Sequence, residues 1–133
     1  MTHKILIADD DPIIIKLLQV NLEMEGYDVV TAQDGQDAVE KAGKEHPDLV
    51  MLDIMMPRMD GWAARQALLA DPELKDIPVI FLSARAQQAD LRKGYEAGVA
   101  EYITKPFDPV DLLDVVQKVL AGEYKRPQEP KLD

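Results

Sequence analysis

The sequence has no cysteine, which removes a disulfide framework, a thiolate nucleophile and a Cys-based zinc site together. No uninterrupted apolar run approaches the roughly 18–20 residues that a membrane-spanning helix needs. The N-terminus offers only Ile5 to Ala8 before a run of aspartates, so a signal-peptide core is missing and the expected location is the cytoplasm. No Gly-rich loop follows this first apolar run, which excludes a P-loop or dinucleotide-binding site there. His3 and His46 stand apart, without metal-ligand spacing, and read as surface residues. Positive charge is scarce: 15 Lys and Arg against 25 Asp and Glu leave a net charge of −10. That charge repels nucleic acid and anionic membranes, so neither is an expected direct partner.

What is present fits one folded domain. The chain has 133 residues, 47% hydrophobic and 30% charged. Five short apolar runs recur, at Ile5–Ala8, Asp28–Ala32, Leu49–Leu52, Val79–Leu82 and Glu101–Ile103. The first, third and fourth are continuous, as in strands buried on both faces of a parallel sheet. The second and fifth are shorter or partly polar and suit sheet edges. Helical patterns alternate with them. Asp11-Pro12 is an N-cap followed by proline at the first helical position, and Ile13, Ile14, Leu17, Leu18 and Leu22 form a stripe that ends near Gly26. A weaker helix covers 36–45, with Ala38, Val39 and Ala42 inward and Gly43 loosening its end. Residues 60–70 carry Trp62, Leu68 and Leu69, and 86–97 offer only Leu91, Tyr95 and alanines. The last helix starts at Asp108-Pro109 and buries Leu112, Leu113, Val116, Val119 and Leu120. The order is β-α five times, an α/β doubly wound parallel sheet. The expected domain covers 1–122, with 123–133 a flexible tail or linker stump.

In such folds chemistry sits outside the carboxyl ends of the strands. There the sequence places Asp9-Asp10-Asp11, Asp53, Ser83-Ala84 and Thr104-Lys105-Pro106. An aspartate after a strand is often a turn or cap residue, the role read for Asp11. Several at the tips of central strands repel one another, and a divalent cation resolves the conflict. Hard oxygen ligands suit Mg²⁺, so Asp9, Asp10 and Asp53 form the candidate metal site. The Lys105-Pro106 pair restricts the lysine to extended backbone and is a candidate cis bond. Lys105 and the Ser83 hydroxyl can neutralise and bind the oxygens of a phosphoryl group, with a carboxylate as nucleophile. Asp53 is the strongest candidate acceptor, because it ends the most continuous apolar run and an irregular loop, Ile54-Met55-Met56-Pro57, follows it.

Four motifs then carry a resemblance: Ile5-Leu6-Ile7-Ala8-Asp9-Asp10-Asp11-Pro12, Val50-Met51-Leu52-Asp53 through Pro57 to Asp60-Gly61, Pro78 to Ser83-Ala84, and Gly98 through Tyr102 to Lys105-Pro106-Phe107. In this order and spacing they resemble the response-regulator receiver family, the CheY-like domains of two-component signalling. The resemblance implies a flavodoxin-like strand order 2-1-3-4-5. It implies that Asp53 accepts a phosphoryl group from a histidine kinase or phosphotransfer protein, as a regulatory domain that catalyses only its own phosphorylation and dephosphorylation. It implies that Asp9, Asp10, Asp53 and the Met55 backbone carbonyl hold Mg²⁺, that Ser83 and Lys105 grip the phosphoryl oxygens, and that Tyr102 is the aromatic switch. It matches the Lys105-Pro106 bond to a position that is usually cis.

The 86–97 pattern has the thinnest apolar stripe of the long helices, so the face across 86–120 is the expected readout to a downstream protein target. Ala100 and Asp114 replace the acidic and basic residues used by the transcription-factor subfamily that dimerises on this face, so a monomer or weak dimer is expected. The alternative is a haloacid-dehalogenase-type phosphatase with Asp9 as nucleophile and Asp11 as acid/base, a reading that leaves Asp53 unused. A flavin binder of the same topology would need Ser, Thr and Gly, not aspartates, in the first loop. By the resemblance, Met55 and Arg85 occupy the two positions that tune phosphoryl lifetime. A thioether cannot orient a hydrolytic water, so a long-lived phosphoryl group is expected. Met55→Asn should shorten that lifetime in a decay measurement, and an unchanged rate would contradict the reading.

Overall fold

In the computed structural model the described residues are 2–84, 92, 93 and 98–123. They form β1 (Lys4–Ala8), α1 (Pro12–Met24), β2 (Asp28–Ala32), α2 (Gly35–Glu45), β3 (Leu49–Asp53), α3 (Gly61–Ala70), β4 (Val79–Ser83), β5 (Glu101–Thr104) and α4 (Pro109–Leu120). The five strands pair in parallel in the order β2-β1-β3-β4-β5, so the two polar runs do lie at the edges. The 86–97 pattern, Arg85 and 124–133 lie outside the described residues, apart from Arg92 and Lys93, which are helical and exposed.

Side chains alternate across the sheet, as a period of two requires. Leu6, Val50, Leu52, Val79 and Phe81 face a layer that includes Ala38, Ala42, Ala64 and Leu68 of α2 and α3. Ile5, Ile7, Leu49, Met51, Ile80 and Leu82 face Leu18, Leu22, Leu112, Val116 and Val119 of α1 and α4. β3 and β4 are buried along their whole length, which explains their unbroken apolar runs.

Helix starts follow the sequence closely. Asp11, Asp34, Asp60 and Asp108 each accept a backbone N–H of the first turn, at 2.8–2.9 Å. Some inward assignments do not hold. Ile13 is 76% exposed and Leu17 38%, because α1 turns Ile14, Ile15, Leu18 and Leu22 to the sheet instead. Three isoleucines in succession cannot all face inward on a helix, and here Ile13 is the one turned to solvent. Leu69 is likewise exposed. α2 runs past Gly43 to Glu45 and ends on His46 in the left-handed region (φ 46°).

Two glycines let loops approach closely. At Gly61 a Cβ would stand 2.6 Å from the Asp53 carbonyl oxygen and 2.8 Å from the Ile54 Cα, both backbone atoms that cannot turn aside. At Gly35 it would run into the Met59 carbonyl oxygen. Nothing lies within 4 Å of a Cβ at Gly43. Gly43→Ala should therefore stabilise the fold by up to about 1 kcal/mol through helix propensity. Gly61→Ala should destabilise it by about 1–3 kcal/mol through overpacking. Urea titration of both variants checks the pair, and similar shifts would contradict the packing argument.

Candidate phosphoryl-acceptor and metal site

Strand register brings the acidic residues together. Ala8 pairs with Leu52, so the next residues, Asp9 and Asp53, leave the sheet level with each other. Ligand oxygens of Asp9, Asp10 and Asp53 all lie within 4.8 Å of one another. Asp9 and Asp53 are buried, and Asp10 is exposed. Asp9 also accepts the Asp11 N–H at 2.9 Å, and Asp53 accepts the Met55 N–H at 3.2 Å, so both loops fold back onto the carboxylates they carry.

Lys105 comes from the far side. Its backbone N–H donates to the Ser83 carbonyl at 2.7 Å, and the Lys105-Pro106 bond is cis, as expected. The side chain crosses the β4 end to place Nζ 2.7 Å from Asp9 Oδ2 and 3.4 Å from Asp53 Oδ2. Ser83 is fully buried at the tip of β4. Tyr102 is buried on β5, edge-on to Phe81 at 6.3 Å, and Phe81 meets Trp62 edge-on at 4.8 Å. Met56 packs into the core, whereas Met55 is 61% exposed. Asp11 caps α1 as expected, and His3 and His46 are exposed.

Burial first, and then the Asp9 charge, push the Asp53 carboxyl up to about 6, against the lowering pull of Lys105 and the Met55 N–H. Burial works against the Lys105 ammonium, but its hydrogen bond to Asp9 and the charges of Asp9 and Asp53 hold it above its ordinary value. Lys105 thus pairs with two of the three clustered carboxylates, Asp9 and Asp53, and the donor set is all hard oxygen with an exposed member, Asp10. That chemistry fits Mg²⁺, which binds through a few carboxylates and keeps waters.

Sequence reasoning missed the loop contacts behind the acceptor. Gly35 donates its N–H to the Met59 carbonyl at 2.9 Å, and Arg58 Nε lies 3.1 Å from Asp34 Oδ2. The Asp34-Gly35 pair was a visible turn signal, but nothing in the sequence placed it against Met59.

Comparison with known proteins agrees with this geometry. A family model described as the response regulator receiver domain matches residues 5–117. The DNA-binding dual master transcriptional regulator RpaA of Synechocystis sp. is 44% identical over 128 residues, 96% of this chain and 53% of RpaA. The alkaline phosphatase synthesis transcriptional regulatory protein PhoP of Bacillus subtilis is 42% identical over 120 residues, 90% of this chain and 49% of PhoP. The chain spans about half the length of these curated relatives. Among solved structures, chemotaxis response regulator CheY4 of Vibrio cholerae has a TM-score of 0.84 at 31% identity, covering 90% of this chain and 99% of CheY4. The signal receiver domain of a signal transduction histidine kinase from Syntrophus aciditrophicus has a TM-score of 0.83 at 36% identity, covering 91% and 92%. None of these findings supports the phosphatase alternative.

The upward shift of the Asp53 carboxyl has a sign that can be measured. A carboxyl whose folded value lies above its ordinary 3.8 favours folding while protonated, and that contribution is lost as pH rises through about 6. Above that pH the ionised Asp53 costs stability. In chelator-treated buffer Asp53→Asn should be more stable than the parent at pH 7.5, by on the order of 1–3 kcal/mol, with the gap closing towards pH 4. A variant no more stable than the parent at pH 7.5 would contradict the assignment.

Proposed function

Because the chain belongs to the response-regulator receiver family, a family of phosphorylation-dependent signalling switches, we propose that Asp53 is its phosphoryl acceptor and that a histidine kinase or phosphotransfer protein is the donor. The observation that carries this reading is the Lys105 ammonium poised over both buried carboxylates, 2.7 Å from Asp9 and 3.4 Å from Asp53. The transfer balances simply. An Asp53 carboxylate oxygen forms the new bond to phosphorus as the donor's bond to phosphorus breaks, and the bonding pair leaves with the donor group. Lys105 then balances charge on the phosphoryl oxygens, and the Ser83 hydroxyl donates a hydrogen bond to one of them. Asp9, Asp10, Asp53 and the Met55 carbonyl would hold Mg²⁺, whose contribution is to neutralise charge on the oxygens being transferred.

The domain that performs this covers 1–122, with 123–133 a tail or linker. Tyr102 is the switch, since its ring touches Phe81 on the strand that ends at Ser83. The face from 86 to 120 is the output surface for a downstream protein, in a monomer or weak dimer in the cytoplasm. Of the residues on that face, Ala100 is buried and Asp114 is engaged by Lys118 at 2.9 Å. The relatives' names describe DNA-binding and transcriptional regulators, but the net charge of −10 favours a protein over DNA as the direct partner of this domain. No helix among the described residues is long and apolar enough to cross a membrane.

Intact mass after incubation with Mg²⁺ and a small acyl-phosphate donor tests the acceptor. The parent should gain one phosphoryl group, and Asp53→Asn none. Equal gain in both would displace the acceptor from Asp53, and donor turnover by the variant would favour the phosphatase centred on Asp9.

A further inference from the structure

The loop after Asp53 is held at its base and core side by contacts already visible. The Gly61 N–H donates to the Ile54 carbonyl at 2.9 Å, and Met56 is buried. Its outer tip, Pro57 to Met59, is fastened to a different element, the corner between β2 and α2. There Gly35 donates to the Met59 carbonyl, and Arg58 Nε meets Asp34 Oδ2 at 3.1 Å. Asp34 is an unusual surface partner, because its side chain is only 6% exposed and its other oxygen caps α2 through the Asp37 N–H at 2.8 Å. Arg58 also sits at φ 64°, the left-handed region that glycine occupies freely and arginine rarely does. A flexible, exposed arginine held in that conformation against a buried carboxylate indicates a contact that fixes the loop. The same residues wall a cleft of about 540 Å³ that opens onto Asp9 and Asp10 and includes Lys16 and Gln33.

We propose that the Arg58–Asp34 pair is a positioning latch that sets how tightly the acceptor site binds its divalent cation, by fixing the loop that carries the Met55 carbonyl. This rests on the reading of Asp9, Asp10, Asp53 and Met55 as the Mg²⁺ site. The Met55 side chain lies mostly in solvent and its N–H is held by Asp53 Oδ1 at 3.2 Å, so the tip and base of the loop help decide where its carbonyl stands. Contacts outside the ligand set that orient metal ligands measurably change metal affinity.

The sign of the effect separates positioning from charge. Removing the Arg58 cation makes the region more negative, so long-range electrostatics alone would tighten Mg²⁺ binding. Positioning predicts the opposite. Mg²⁺ titration by calorimetry of the parent, Arg58→Ala, Arg58→Gly and Asp10→Asn provides the test, with unfolding midpoints measured alongside. Arg58→Gly accepts φ 64° without strain, so it removes the latch and keeps a relaxed backbone. Both Arg58 variants should bind Mg²⁺ about three- to tenfold more weakly than the parent. In metal-free NMR spectra, the amide resonance of Met55, hydrogen-bonded to Asp53 Oδ1, should move in both. Affinity equal to or tighter than the parent's, in folded Arg58→Gly, overturns the latch. A parent that binds no Mg²⁺, or an Asp10→Asn variant that binds as well as the parent, overturns the metal-site reading beneath it.

Discussion

Two carboxylates that repel each other are buried side by side at the carboxyl edge of the sheet, and the Lys105 ammonium between them makes that arrangement tenable. Everything around the site serves this contact. The register of β1 on β3 brings Asp9 level with Asp53. The pairing of β4 with β5, extended by the Lys105 N–H to the Ser83 carbonyl, sets where the lysine starts, and its long side chain spans the remaining distance. Hydrogen bonds from the Asp11 and Met55 N–H groups aim the two carboxylates inward.

The balance is incomplete by construction. Lys105 pairs with both Asp9 and Asp53, yet burial, and after it the Asp9 charge, still leave the Asp53 carboxyl pushed up to about 6. A carboxylate pair in this condition gains from any cation that enters. The local cost in stability is carried by the uniformly buried β3 and β4, which frame the site.

Much of this was legible in the sequence because the signals were local. Unbroken apolar runs marked the central strands, Asp-Pro pairs marked the starts of α1 and α4, and the strand-end rule collected Asp9, Asp53, Ser83 and Lys105 at one edge. What was not legible depended on rotation or on distant contacts. Which of Ile13, Ile14 and Ile15 faces the sheet is a matter of helix phase, and composition alone does not fix it. The exposed Met55 and buried Met56 are neighbours of the same type, separated only by the path of the loop. Arg58 gave no signal, since its left-handed backbone and its partner Asp34, 24 positions earlier, exist only in the folded chain.

The central claim is that Asp53 is a buried carboxyl held out of its ordinary range by burial and Asp9, and brought back by a cation. Carbon-detected NMR of the Asp53 side-chain carboxyl across pH 3 to 9, with and without Mg²⁺, measures it directly. The account predicts a midpoint near 6 in the metal-free protein and a clear downward shift when Mg²⁺ is added. A midpoint near 4 in metal-free protein, unmoved by Mg²⁺, would contradict it.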